Sequence, residues 1–101
     1  MPTQCFLTDN YADPRSRLPG AMWPYTRRGE RGGYLVRLPN GRLWEVTGKS
    51  TDGTYWTVTG EAPMLTARPS INCLTDEVGI GYHGWLTDGV LSDDLEGRTY
   101  P

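Results

Sequence analysis

The sequence is poor in several residue types at once: 101 residues hold one His, two Cys and one Phe, and no long apolar run. Without a stretch of about 20 apolar residues, no helix can span a bilayer. The opening Met1-Pro2-Thr3-Gln4-Cys5-Phe6-Leu7 lacks the basic region and apolar stretch of a secretory signal. The expected product is therefore soluble and cytoplasmic. Cys5 and Cys73 stand far apart and belong to no CxxC pair, which excludes a disulfide scaffold. Two buried, reduced thiols are the expectation, and a single bridge tying the N-terminus to the late strands is the alternative.

The same scarcity bears on chemistry. Two Cys and one His without CxxC spacing lack a fourth zinc ligand, so no metal is expected. No phosphate-binding loop is present, and Gly79-x-Gly81 is too short to count as one, so no cofactor is expected either. General acid–base or nucleophilic catalysis by His83 would need an orienting partner. The candidates near it in sequence are Asp76, Glu77 and Asp88, and no serine or cysteine stands in a recognisable nucleophile setting. A Cys73–His83 pair across adjacent strands is outweighed by a packed histidine stabilising the strand 81–85. The sequence does not point to an enzyme.

What is abundant is turn and aromatic chemistry: thirteen Gly, eight Pro, four Trp and six Tyr. Sustained 3.6-residue periodicity is missing, so the fold class is all-β, a small antiparallel sandwich or half-open barrel built from hairpins. The length allows a single domain over residues 1–101. Asn40-Gly41 between the runs 33–38 and 42–47 predicts a two-residue hairpin turn. That register pairs Leu38 with Leu43, Arg37 with Trp44, Val36 with Glu45 and Leu35 with Val46. A second turn at Asp52-Gly53 sets Val46 opposite Val58, Thr47 opposite Thr57 and Gly48 opposite Trp56, completing a meander over 33–60. Trp-x-Val-Thr-Gly occurs at 44–48 and again at 56–60, which a shared strand role explains.

Pro69 makes 64–68 read as a crossover or irregular edge. Asp88-Gly89 predicts a third hairpin turn, and 93–101 reads as a polar, loose tail. The expected core is Leu35, Trp44, Val46, Trp56, Val58, Ile71, Cys73 and Leu86, with Arg37 paired to Trp44 and stacked on it.

Charge is divided unevenly. Residues 1–49 carry eight Lys/Arg against four Asp/Glu, and residues 50–101 carry two against eight. Pro14, Pro19, Pro24 and several glycines make 9–32 read as a long irregular loop. Arg15, Arg17, Trp23, Tyr25, Arg27, Arg28 and Arg31 lie in it. Arginine forks and aromatic rings suit protein interfaces and also phosphates and bases. The competing account is a solvated loop whose Trp23 plugs the core and whose arginines answer the acidic second half.

Leu38-Pro39-Asn40-Gly41 with Trp44, Gly60-Glu61-x-Pro63, Pro69-Ser70-Ile71, and Tyr82-His83-Gly84-Trp85 followed by Asp88-Gly89 resemble small β-rich hypothetical proteins of bacteriophages and bacteria. The likeness spans 38–89 and rests mainly on the last motif. Some of those proteins have extra Cys/His positions suggestive of a metal; here only Cys73 and His83 could serve, so no metal carries over. The resemblance implies a phage-borne accessory protein made in the bacterial host cytoplasm. The function expected is binding of a host or phage protein through the arginine–aromatic loop. Binding of a nucleotide or single-stranded nucleic acid through the same loop is the alternative, and a minor virion component is a third class. Whether the chain forms a homo-oligomer stays open at this level.

Overall fold

Alternating apolar residues and turn signals resolve into nine strands in a computed structural model that describes residues 2–26, 32–46, 55–73 and 80–100. They are β1 (Thr3–Gln4), β2 (Phe6–Leu7), β3 (Ala21–Thr26), β4 (Gly32–Arg37), β5 (Leu43–Glu45), β6 (Thr57–Thr59), β7 (Thr66–Cys73), β8 (Tyr82–Thr87) and β9 (Val90–Leu91). One sheet runs β1-β9-β8-β7-β6 and the other β2-β3-β4-β5; all neighbours are antiparallel except β2 and β3. The result is an all-β sandwich. No described helix is long and apolar enough to cross a membrane.

The inner faces follow from register. Met22, Val36 and Trp44 form one row across β3, β4 and β5. Thr3, Leu91, Leu86, Ala67 and Val58 form another across all five strands of the larger sheet. Leu38, Ile71, Leu86 and Leu91 are at most 2% exposed. Each such aliphatic side chain contributes roughly 1.5–3 kcal/mol on burial. The chain passes between the sheets at buried Cys5, whose N–H donates to the Gly89 carbonyl at 2.8 Å. Both cysteines are free thiols.

Of the expected core, Trp44, Val46, Ile71 and Leu86 are buried, and Trp56, Val58 and Cys73 pack against it partly buried. Leu35 is not part of it, because the first hairpin is one residue out of the expected register. The observed pairs are Arg37–Leu43, Val36–Trp44 and Leu35–Glu45. Gly41, at φ +87°, takes the left-handed position of a three-residue loop; its N–H donates to the Leu38 carbonyl, and the Leu38 N–H donates to the Arg42 carbonyl. A one-residue slip exchanges faces, so Val36 goes inward and Leu35 outward. Arg37 accordingly lies over Trp23, with Cζ 6.0 Å from the ring centroid, and not over Trp44.

The meander over 33–60 is also corrected. β5 and β6 lie in different sheets, so Val46 and Val58 are not a ladder pair. The repeated Trp-x-Val-Thr-Gly instead brings together one indole from β5 and one from just before β6: Trp44 and Trp56 meet edge to face, 5.4 Å between centroids at 78°. The turn at Asp52-Gly53, with Thr47 and Gly48, lies outside the described residues. Asp88-Gly89 makes the expected two-residue turn, both residues having positive φ and Thr87 facing Val90.

Three further expectations change. Residues 21–26 of the supposed loop form β3, an interior strand. Pro24 is tolerated there because the Met22 carbonyl accepts from Thr8, so alternation turns the Pro24 nitrogen toward the side where β2 has already ended. Likewise 66–73 is an interior strand, and Pro69 sits in a bulge where 68–70 stand between the Ala67–Leu86 and Ile71–Gly84 pairs. The Arg68–Pro69 and Ala62–Pro63 peptides are cis. The tail is not loose: Asp94 is buried, and the Tyr100 hydroxyl donates to the Gly81 carbonyl at 2.6 Å.

Candidate functional site

Two surfaces concentrate side chains with chemistry, one on the outer side of each sheet. The first belongs to the arginine-rich segment. Pro14 opens a short 3-10 helix, Pro14–Arg17, and Asp13 caps it by accepting from the Arg15 N–H at 2.9 Å. The Arg15 guanidinium also reaches Asp13, Nη2 to Oδ2 2.8 Å, and this pairing draws the Asp13 carboxyl down to about 2. Buried Ser16 donates to the Tyr11 carbonyl at 2.7 Å, and Asn10 Oδ1 accepts from the Ala12 N–H at 2.9 Å. Arg37 ties the helix to the sheet through Nε to the Ser16 carbonyl at 3.0 Å. Burial, helped by the nearby Arg17 charge, lowers the Arg37 pKa from its ordinary value.

The seven residues singled out from the sequence are therefore treated differently by the fold. Arg15 and Arg17 are exposed on the 3-10 helix. Trp23 is 2% exposed, outside the main core cluster and beneath Arg37. Tyr25 is half-buried on β3. Arg27, Arg28 and Arg31 lie outside the described residues. The fold adds Tyr11, 75% exposed, and Leu18, 53% exposed, at either end of the same short segment. Their signal in the sequence was an aromatic and an aliphatic residue bracketing Pro14-Arg15-Ser16-Arg17, too short a run to show periodicity.

The second surface is the outer face of the larger sheet. Ile71, Tyr82, Gly84 and Leu86 point inward, so Ser70, His83 and Trp85 point out. His83 Nε2 lies 3.1 Å from Ser70 Oγ, and His83 Nδ1 lies 3.0 Å from Glu96 Oε1. A carboxylate only accepts, so Nδ1 carries a proton; in the neutral ring Nε2 is left to accept from the Ser70 hydroxyl. Among the described residues the partners of His83 are thus Ser70 and Glu96, while Asp88 meets Thr66 instead; Asp76 and Glu77 lie outside the described residues. Cys73 does not pair with it, because Cys73 turns toward the core while His83 turns away. Beside them the Arg68 guanidinium stacks over Trp85, Cζ 5.0 Å from the centroid, and donates to the Ala67 and Leu86 carbonyls and to Thr87 Oγ1.

Glu96 reaches His83 because Asp94 organises the chain before it. The Asp94 carboxylate accepts from the N–H groups of His83, Glu96 and Arg98 and from the Arg98 guanidinium, all at 2.8–3.1 Å. The Arg98 bonds hold its carboxyl well below the usual range, and Arg98 is raised in return. A pocket of about 340 Å³ opens beside this turn, lined by Asp94, Arg98, Tyr82 and Tyr100 among others. Its phenols are committed to the Ser92 and Gly81 carbonyls, and Asp94 and Arg98 to each other. Among the described residues no group of three or more His, Cys, Asp or Glu is placed to hold a metal ion. No family model, no curated protein and no solved structure matches this chain.

Proposed function

We propose that this is an accessory protein of the phage type that binds a protein partner through the segment 9–18. The observation that carries the reading is the exposure of Tyr11 and Leu18, 75% and 53%, on a segment with Arg15 and Arg17 between them. Tyr and Arg are the side chains that contribute most at protein interfaces. The Asp13 cap, the Ser16 hydroxyl and Arg37 hold the segment in one conformation, which lowers the ordering cost of binding. Arg27, Arg28 and Arg31 extend the basic run in the sequence. A base-stacking role for Trp23 is disfavoured by its burial, so the protein reading stands ahead of the nucleotide one.

The test is co-purification from a lysate of the source organism. Tyr11→Ala with Leu18→Ala, and separately Arg17→Ala with Arg27→Ala and Arg28→Ala, are expected to release the partner while the melting temperature stays unchanged. A partner retained by both variants contradicts the reading. Absorbance at 260 nm in the purified protein, with binding that weakens steeply with salt, would assign the segment to nucleic acid instead.

A further inference from the structure

We propose that Ser70 is an activated nucleophile for carboxylic esters, with His83 as its general base and Glu96 orienting the imidazole. This rests on the outer face of the larger sheet and is independent of the segment 9–18. Of the three described serines, Ser16 donates to the Tyr11 carbonyl and Ser92 donates to the Asp93 carbonyl. Only Ser70 faces a ring nitrogen, at 3.1 Å, and that ring is held at its other nitrogen by a carboxylate at 3.0 Å. This order of hydroxyl, imidazole and carboxylate is the relay that activates a serine for acyl transfer. Ser70 ends the bulge at 68–70 and stands next to the ladder pair Asn72–His83, on the same outward face as His83. Bulges are over-represented next to active sites. Asn72, exposed beside His83, offers an amide donor for the developing oxyanion.

The chemistry closes without a co-reactant other than water. Ser70 Oγ attacks the ester carbonyl carbon while its proton passes to His83 Nε2. The tetrahedral adduct collapses, the bond to the leaving alkoxide breaks, and His83 returns the proton to it, releasing an alcohol and leaving acyl-Ser70. Water then attacks the acyl carbon by the same path, giving the carboxylic acid and restoring Ser70. Glu96 is a positioning residue here, and with its side chain 60% exposed its contribution is screened by water.

The test is intact and peptide mass spectrometry of the folded protein after incubation with an alkyl fluorophosphonate. The probe forms an Oγ–P bond and expels fluoride, the proton again passing to His83. The expected result is one adduct, mapped to the peptide bearing Ser70. His83→Gln is expected to slow labelling at least ~10-fold, Glu96→Gln about 3-fold, and Ser92→Ala not at all. A histidine that only braces the tail would leave labelling unmoved. Failure to label Ser70, or equal labelling in wild type and His83→Gln, overturns the proposal. Because the site is mapped on the wild-type chain, a variant that fails to fold does not obscure the outcome.

Discussion

Arg98 grips Asp94 at two points, with Nε 2.9 Å from Oδ2 and Nη2 2.9 Å from Oδ1. The same carboxylate also accepts three backbone N–H groups, so one buried anion organises the whole C-terminal segment. Asp94→Asn keeps the volume but removes the charge and replaces one acceptor oxygen with a donor. It is expected to cost about 2–3 kcal/mol, read as a fall of roughly 10 °C in melting temperature.

Acid should undo the same grip. The folded Asp94 carboxyl titrates well below the unfolded value, which is near ~3.9. Its stabilisation is therefore complete above the unfolded value and is lost as pH falls through the folded one. In melts from pH 7 to pH 2, the gap between wild type and Asp94→Asn is expected to stay constant down to about pH 5 and then to narrow. A gap that persists unchanged to pH 2 contradicts the pairing.

At the alkaline end Tyr82 takes over. Burial pushes its phenol up to about 12, and its hydroxyl donates to the Ser92 carbonyl at 2.7 Å. The folded value exceeds the unfolded one of about 10, so this stability is whole below pH ~10 and lost as pH rises through 12. Tyr82→Phe is expected to cost about 1 kcal/mol at neutral pH and to reduce the alkaline loss, measured by denaturant melts between pH 8 and 12.

Gly84 lies under the Tyr82 ring. A Cβ there would collide with the Tyr82 hydroxyl and fall 2.7 Å from Ser92 Oγ. Gly84→Ala is expected to destabilise by about 1–3 kcal/mol through overpacking. A neutral result in a denaturant melt would place the phenol elsewhere.

The thiols should separate cleanly. Cys5 is 2% exposed and burial pushes its thiol up to about 12, whereas Cys73 is only half-buried and accepts from Asn40 Nδ2 at 3.5 Å. An aromatic disulfide reagent at pH 8 is expected to modify Cys73 alone in the native protein and both cysteines after unfolding. No reactive thiol even after unfolding would indicate a bridge.

Local chemistry was legible from sequence, and parity and sheet membership were not. Asp88-Gly89 declared its turn because both of its residues adopt positive φ. Asn40-Gly41 is compatible with a two-residue or a three-residue loop, and the choice decides whether Leu35 or Val36 is core. Pro24 and Pro69 read as breakers because nothing local reveals that one faces a vacated edge and the other a bulge. Ser70 and Glu96 each lie thirteen residues from His83. Their meeting depends on the register of β7 against β8 and on the Asp94 turn, which no spacing rule anticipates. Tyr11 and Leu18 were visible as residues but not as the exposed ends of a braced segment.

The claim that the segment 9–18 is a binding surface is tested most directly by photocrosslinking in a lysate. A benzophenone amino acid would replace Tyr11 in one sample and Met64, itself 52% exposed, in another. The account predicts one discrete crosslinked protein from position 11 and none from position 64. No crosslink from position 11, or the same products from both positions, would contradict it.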